Sequence, residues 1–252
     1  ASHGSAWTAS RVSSGGQINS VGYGAYAGSK LLVVSGNSFY ESTDTGATWQ
    51  LVETDLPEFN SVIAISGASN EFMILLQTSY SPYEAKLAVS SNGTQWTVLG
   101  KVESGISGVE AQPRQVTRNA AGRYVVVGLN YDTTAFQYTG GAWSTVDGST
   151  WVGESFADAS SLVDVTWTGS RFVAVGGDDV VYSGDGMTWS VGTGLARANT
   201  VASNGSLLIA LGDSSVATSS DDGATWTAQT TPADPFVPSD VGHDGTTWIA
   251  VG

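Results

Sequence analysis

Six short runs of consecutive apolar residues recur along the chain, and each follows a small polar turn. Runs that are continuously apolar and bounded by Gly, Ser or Asn are typical of strands covered on both faces. The runs lie at residues 28–34, 70–76, 122–128, 169–176, 205–212 and 245–252. Six such strands predict six sheets that stack face to face.

A second, shorter strand precedes each apolar run and is marked by a single Val. The markers are Val21, Val62, Val116, Val165, Val201 and Val241. About 36 to 54 residues separate successive markers, which suits one four-stranded blade of a propeller per unit. A single blade cannot bury both of its faces without neighbours, so the units are expected to pack against one another.

A turn motif that ends in Trp occurs in five of the units. It is most complete at residues 42–49 and 219–226, and shorter versions lie at 90–96, 183–189 and 147–151. Asp and Gly suit a turn that needs positive φ, Ser and Asp side chains can bond turn amides, and the Trp supplies a buried anchor. A metal-binding or acid–base role for the carboxylates is the alternative. The residues assigned a structural role are Asp44, Gly46, Trp49, Asn92, Trp96, Asp147, Trp151, Asp185, Trp189, Asp221 and Trp226.

These turns resemble the Asp boxes, or bacterial neuraminidase repeats, of a propeller family that includes sialidases, some lectins and other secreted or periplasmic proteins. The resemblance covers the whole chain and implies that each box joins the third and fourth strands of a blade, opposite the usual ligand face. It says little about activity, because one fold carries unrelated functions. We therefore expect an all-β fold, a β-propeller of about six blades of four antiparallel strands, as a single domain over residues 1–252.

The two ends of the chain predict how the ring closes. Residues 1–7 align with the box at 90–96 if His3 takes the position of Asn92, so they form the end of a sixth box. We expect the N-terminal strand to complete the last blade. From Gly252 through Ala1 to Trp7, however, the chain advances by only 7 positions, whereas the equivalent span of the fourth unit, from Gly176 to Trp189, covers 13. We therefore expect that the chain is a segment of a longer polypeptide or that its last blade lacks a strand. A larger ring that continues beyond Gly252 is a further alternative.

Composition and charge restrict the class of partner. Acidic residues outnumber basic ones 23 to 9, the net charge is −14, and no segment concentrates Lys and Arg, so nucleic acid is not expected. No apolar run approaches the length of a membrane span, and membrane insertion is not expected. The absence of Cys excludes disulfides, thiolate metal sites and cysteine nucleophiles.

The candidate ligand site lies over the central channel, on the face that carries the loops before the first strands and between the second and third strands. The residues that open the first strands form a mostly amide and hydroxyl ring. Two long insertions, at 77–85 and 129–143, bring aromatic side chains to this face, including Phe136 and Tyr138. Aromatic faces beside amides and carboxylates suit sugars. The candidate residues are Asn19, Asn60, Tyr80, Tyr83, Arg114, Tyr131, Asp132 and Asn199.

Catalytic and metal-binding alternatives have weaker support in the sequence. Arg11, Arg114 and Arg197 precede first strands in alternate blades, as the carboxylate-binding arginines of a sialidase would, but no Arg-Ile-Pro signature or nucleophilic pair is recognisable. His3 and His243 belong to no triad or metal cluster. Ca²⁺ is possible, but no acidic segment follows the spacing of a Ca²⁺ loop, so no cofactor is predicted.

We therefore expect a non-catalytic binding or scaffold propeller located outside the cytoplasm, whether secreted, at the cell surface or periplasmic. Carbohydrate recognition is the most concrete form of this hypothesis. The first alternative is a structural module that binds protein surfaces within a larger polypeptide or assembly. The second is a sialidase-like glycoside hydrolase.

Overall fold

The computed structural model describes residues 11–12, 23–68, 70–157, 159, 161–230, 237–243 and 247–251. The regular secondary structure in these ranges consists of 23 β-strands, which are arranged in six sheets. Apart from one short parallel pair, neighbouring strands within each sheet run antiparallel, as the apolar runs and turn motifs predict.

Five of the sheets form propeller blades whose strands follow one another in sequence order from the centre outwards. Blade 1 comprises β1 (Arg11–Val12), β2 (Tyr23–Ala27), β3 (Lys30–Ser35), β4 (Ser38–Ser42) and β5 (Thr48–Val52), with β1 lying outside β5. Blade 2 comprises β6 (Ser61–Ala68), β7 (Glu71–Tyr80), β8 (Tyr83–Ser90) and β9 (Thr97–Lys101). Blade 3 comprises β10 (Val109–Arg118), β11 (Tyr124–Asp132), β12 (Gln137–Thr145) and β13 (Val152–Phe156).

The remaining strands continue the same pattern. Blade 4 comprises β14 (Asp164–Trp167), β15 (Phe172–Gly176), β16 (Asp179–Ser183) and β17 (Ser190–Val191). Blade 5 comprises β18 (Thr200–Ser203), β19 (Leu208–Gly212), β20 (Ser215–Ser219) and β21 (Thr227–Gln229). The last sheet comprises β22 (Asp240–His243) and β23 (Trp248–Val251). The innermost strands β2, β6, β10, β14, β18 and β22 contact one another in succession along the centre.

The predicted number of about six blades is corrected by this architecture to five complete blades. The last sheet contains the predicted Val241 strand and the predicted apolar run after it, but within the described ranges it has two strands only. The closure of this sheet by the N-terminal strand stays a prediction, because residues 1–10, with His3 and Trp7, lie outside the described residues.

The apolar runs pack between neighbouring blades, so each interface between blades is a separate core. Between blades 1 and 2, for example, Leu32 and Val34 lie against Phe72 and Ile74, and Trp96 of the second box completes the cluster. Equivalent clusters lie at the next three interfaces. The box residues Trp96, Trp151, Trp189 and Trp226 are each 6–8% exposed, whereas Trp49 is only half-buried.

The chain that leaves β5 and the chain that leaves β17 each bond to the box of the next blade. Thr193, after β17, accepts a hydrogen bond from Trp226 N at 2.9 Å and donates to Ala224 O at 3.0 Å. Asp55, after β5, bonds the second box through its backbone N, which donates to Thr94 O at 3.1 Å, and through its Oδ1, which accepts from Trp96 N at 2.7 Å. Successive blades are therefore joined by backbone groups as well as by the apolar clusters.

Strand β1 lies against the first box in the way that the chain after β17 lies against the fifth box. Arg11 and Val12 pair in parallel with Thr48 and Trp49 of the first box, as Thr193 does with the fifth box through a parallel bridge. β1 therefore meets blade 1 as the chain leaving β17 meets blade 5.

The fifth box allows a direct test of how tightly blades 4 and 5 are packed. Gly223 has φ +85°, and a Cβ added to it would lie 2.8 Å from Val173 Cγ1 in the fully buried strand β15. Gly205 has a similar φ of +89°, but the nearest atom to its added Cβ is 3.9 Å away. Gly205→Ala is expected to cost about 1 kcal/mol in unfolding free energy, the cost of the left-handed backbone. Gly223→Ala is expected to cost about 2–4 kcal/mol, because overpacking is added to it.

Urea denaturation followed by circular dichroism measures both variants. Equal losses in the two variants would show that the interface relaxes around the new methyl group, contrary to the expectation.

Candidate functional site

The acidic residues of the boxes bond within their own turns. In the fifth box Asp221 Oδ1 accepts from Thr225 N at 2.9 Å and from Ser219 Oγ at 2.8 Å, and its Oδ2 accepts from Thr225 Oγ1 at 2.6 Å. The hydroxyl bond from Thr225 contributes most to holding the pKa of Asp221 below its usual range. In the first box the same pattern, led by the hydroxyl of Thr48, lowers the pKa of Asp44 to about 2.

The shorter boxes use fewer contacts of the same kind. Asp147 Oδ1 accepts from Ser149 N at 2.9 Å and Thr150 N at 2.8 Å, and Asn92 and Asp185 take the equivalent positions. In three boxes the Trp indole donates to a Gly carbonyl of its own turn. These pairs are Trp96 with Gly93, Trp151 with Gly148 and Trp226 with Gly223, at 3.0–3.2 Å. These side chains thus stabilise the turns in which they lie.

The boxes and the candidate ligand loops lie on opposite faces of the propeller. Successive antiparallel strands reverse direction, so the connections between third and fourth strands end on one face, and those between second and third strands end on the other. The second face also carries the segments that lead into the innermost strands. We call it the channel face.

Blades 2 and 3 extend furthest on the channel face. Their second and third strands are 8 to 10 residues long, whereas those of blades 4 and 5 have 5 residues each. The extensions carry exposed aromatic rings, because Tyr80 is 68%, Phe136 73% and Tyr138 55% exposed. Tyr131 and Tyr138 are cross-strand partners with ring centroids 4.9 Å apart. We call Tyr80, Tyr83, Tyr131, Phe136 and Tyr138 the aromatic rim.

The turn between β11 and β12 holds Phe136 in an unfavourable backbone conformation. Its φ is +54°, a region in which a bulky non-glycine residue is rare. The turn is fixed by Asp132, whose Oδ1 accepts from Thr134 N and Ala135 N at 2.8 Å, and whose carbonyl accepts from Phe136 N at 2.8 Å. The bond from Ala135 N contributes most to lowering the pKa of Asp132. The candidate ligand residue Asp132 is therefore engaged in positioning the turn.

Arg114 lies beside the aromatic rim at a β-bulge. The pairing of β10 with β11 shifts register between Pro113 and Gln115, so Arg114 has no cross-strand partner, and its side chain is exposed. Burial raises the pKa of Tyr83, and the nearby charge of Arg114 acts in the opposite direction. Tyr83 also pairs with Tyr80 across the hairpin. A bulge re-aims a side chain at a sheet edge, and Arg114, at this bulge, is close enough to Tyr83 for its charge to act on that side chain. Pro113, which cannot donate to a ladder, is the sequence signal for it.

The other candidate ligand residues lie apart from this group. Asn60 lines a pocket of about 530 Å³ between blades 1 and 2 on the channel face, next to Leu56 and Phe59. Asn199 lies on the blade 5 side, where its amide donates to Asp213 Oδ1 at 2.8 Å. Asn19 lies outside the described residues. The structure therefore brings together the candidates of blades 2 and 3 and separates the amides.

The residues that open the innermost strands form a polar ring at the channel mouth, which includes Asp164, Thr200 and Asp240. Asp164 is half-buried, and its carboxylate accepts from Val201 N at 2.8 Å and Val165 N at 2.8 Å. Thr200 Oγ1 lies 2.9 Å from Asp164 Oδ2 and 3.1 Å from Asp240 Oδ1. The sequence predicts a polar ring here, but it does not reveal these contacts between blades.

The contacts of Thr200 favour a proton on one of the two carboxyl groups. A hydroxyl has one hydrogen and donates fully to one carboxylate at a time, so a proton on the second carboxyl lets that group donate to the hydroxyl oxygen. Burial raises the pKa of Asp164 from 3.8 to about 6, and the charge of Asp240 adds to this effect. Asp164, Thr200 and Asp240 therefore form a bridge across blades 4 and 5 and the last sheet that is complete when one proton is held.

The catalytic and metal-binding hypotheses gain no geometric support from the described residues. Across the described ranges, no group of three or more His, Asp or Glu side chains is placed to hold a metal ion. Arg114 lies beside Tyr83, and Arg197 Nε lies 4.0 Å from Asp213 on blade 5. The side chain of Arg11 lies outside the described residues.

No helix in the described part of the chain is long and apolar enough to cross a membrane.

Comparison with known proteins identifies similar folds but no family. No family model and no curated protein matches the sequence. Among solved structures, YCF48 from Cyanidioschyzon merolae is 16% identical with a TM-score of 0.57, covering 90% of this chain and 78% of that one.

Two further structures give similar alignments. YCF48 bound to D1 peptide is 17% identical with a TM-score of 0.53, covering 82% of this chain and 66% of that one. The WD40 beta propeller domain of Doa1 is 9% identical with a TM-score of 0.55, covering 86% of this chain and 69% of that one. At these identities the similarity concerns the fold alone, and the chain is a β-propeller built from small antiparallel sheets.

Proposed function

We propose that this propeller is a non-catalytic scaffold that binds a polypeptide partner over the aromatic rim. The observation that carries the proposal is the exposure of Tyr80, Phe136 and Tyr138 at the tips of the two most extended hairpins. Water-exposed aromatic rings on neighbouring blades, beside an exposed Arg114, match the residue types that dominate protein interfaces. This is the first alternative that the sequence leaves open, a module that binds protein surfaces.

The backbone at Phe136 supports a binding role for its ring. A bulky residue in the left-handed region costs about 1–2 kcal/mol, which a Gly at this turn position would avoid. The ring is 73% exposed, so little packing offsets this cost within the fold. Strain at an exposed aromatic residue is what a site selected for binding, rather than for stability, would show.

The similar solved structures are consistent with a polypeptide ligand. One of them is a YCF48 propeller described as bound to D1 peptide, and it shares the fold of this chain at 17% identity. Propellers offer a rigid platform on which loops from several blades can contact one extended partner. The proposal for this chain rests on its own rim, and the neighbour supports the class of ligand.

Carbohydrate recognition is the second candidate function, because Tyr131 and Tyr138 present adjacent rings 4.9 Å apart that a sugar could cover. Membership of the Asp-box family and a location outside the cytoplasm are further proposals. The hydrogen bonding within the five boxes supports the first of these, and the net charge of −14 is compatible with the second.

Selection from a phage-displayed library of random peptides tests the main proposal. We expect peptides that bind the wild-type chain to lose affinity by about tenfold or more in the double variant Tyr80→Ala/Phe136→Gly, since each ring is an exposed anchor. Gly at position 136 removes the backbone strain, so the thermal midpoint should not fall and the loss cannot be assigned to unfolding.

The matched control changes two exposed apolar residues away from the rim. Leu51 on β5 is 53% and Val191 on β17 is 72% exposed, and Leu51→Ala/Val191→Ala should leave peptide affinity unchanged. The proposal would be refuted if the selected peptides bound the wild type and both double variants with equal affinity. A library that yields no binders would also refute it. Binding on a glycan array that depends on Tyr138 would instead support the second candidate.

A further inference from the structure

A pocket of about 530 Å³ opens on the channel face between blades 1 and 2. The segment between β5 and β6 supplies most of its lining, and Asn37 of blade 1 and Thr78 of β7 complete it. Leu56 and Phe59 form the apolar part of the wall and pack, half-buried, on the core between the two blades. The backbone of Asn60 donates to Gln77 O at 2.8 Å, which fixes this segment against blade 2.

The pocket carries one charged group, Glu58, whose side chain is exposed. The ion pairs within the described ranges do not include Glu58, whereas Glu41, Glu84 and Glu103 are each paired with a lysine. The amide groups of Asn37 and Asn60 add hydrogen-bond acceptors to the lining. The chain as a whole carries 23 acidic and 9 basic residues, so a cation from a partner meets a favourable field.

We propose that this pocket accepts a Lys or Arg side chain of the polypeptide partner, an inference that rests on the proposed function. Long basic side chains bury their methylene groups on apolar surface and keep the charged head at a polar rim. Leu56 and Phe59 offer the apolar surface, and the Glu58 carboxylate and neighbouring amide oxygens accept from the ammonium or guanidinium group.

The location of the pocket fits a partner that also contacts the aromatic rim. Thr78 lines the pocket and lies on β7, the strand that ends at Tyr80 of the rim. Thr78 Oγ1 donates to Glu84 Oε1 at 2.8 Å across the same hairpin, so this wall of the pocket is held in place. An extended chain that crosses blade 2 would therefore present one side chain to the pocket and the next to the rim.

The experiment repeats the peptide selection on wild type and on Glu58→Gln. We expect the peptides selected on the wild type to carry a Lys or Arg and to bind Glu58→Gln about tenfold more weakly. Replacing that residue in the peptide by norleucine should weaken binding to the wild type and make binding insensitive to Glu58→Gln. Glu53→Gln, which removes an exposed carboxylate of the same segment outside the pocket lining, is the matched control and should bind as the wild type does.

The outcomes separate the two proposals. Peptides that depend on Tyr80 and Phe136 but bind Glu58→Gln unchanged overturn the pocket proposal and leave the proposed function standing. Peptides with an apolar residue at the Glu58-sensitive position also overturn it. A selection without binders overturns both.

Discussion

Replacing Trp226 by Ala is expected to lower the free energy of unfolding by about 3–5 kcal/mol, the usual cost of removing a large aromatic side chain from a core. Trp226 is 6% exposed and fills the interface between blades 4 and 5 with Val173, Val175 and Ala198. Its indole also donates to Gly223 O at 3.0 Å within the fifth box. The variant therefore loses both the packing between blades and a bond that stabilises the turn.

Trp49→Ala is the matched control, because it removes the same residue from the same position of the first box. Trp49 is half-buried, so a smaller loss of about 1–2 kcal/mol is expected from the smaller buried area. Urea denaturation followed by far-ultraviolet circular dichroism measures both, since it does not depend on the fluorescence of the removed residue. Similar losses in both variants would mean that the box turn, and not the contact between blades, carries the stability.

Raising the pH from 5 to 8 is expected to cost the fold up to about 1.4 kcal/mol through Asp164, because about one unit of its raised pKa is lost in this range, at about 1.36 kcal/mol per unit. The pKa of Asp164 is raised from 3.8 to about 6 on folding, so the folded state holds the proton more tightly. The stabilisation that Asp164 contributes to the folded state is complete below its unfolded pKa of 3.8, and it is lost as the pH rises through its folded pKa of about 6. The carboxylates of the boxes, whose pKa values are lowered, act only at more acidic pH.

The measurement is the difference in unfolding free energy between the wild type and Asp164→Asn at each pH. An amide can donate to Thr200 without a titrating proton, so this part of the pH dependence should disappear in the variant. Asp240→Asn should move the wild-type transition to lower pH, because the charge of Asp240 contributes to the raised pKa. A wild type and Asp164→Asn with parallel profiles from pH 5 to 8 would exclude the proton-holding bridge.

The strands and turns could be predicted from the sequence because their causes are local. Each of the six apolar runs coincides with a second strand, and the Gly residues of the boxes, such as Gly46 and Gly223, have the positive φ that the turn chemistry requires. The number of complete blades depends on contacts between distant parts of the chain. Trp49 illustrates this, because the burial of its side chain depends on which strands pack against blade 1 on the side away from blade 2.

The candidate site could be predicted only in part, for a related reason. Tyr80 and Tyr83 face each other because a hairpin pairs neighbouring residues in the sequence. The approach of Arg114 depends on a bulge in β10, and the bridge through Thr200 joins residues 36 and 40 positions away on other sheets. Amides such as Asn199 resemble ligand residues in the sequence, but neighbours such as Asp213 engage them.

The bonds between a departing chain and the next box have an evolutionary consequence. Thr193 meets the box of the following blade through its backbone, and Asp55 does so through its backbone N–H and its carboxylate. A duplicated blade would carry both its box and its departing segment, and would therefore find suitable partners on both sides, as in other proteins whose repeats contact only their neighbours. The gain or loss of a whole blade by recombination is thus a small step for this architecture, and ring size can diverge between relatives faster than blade structure.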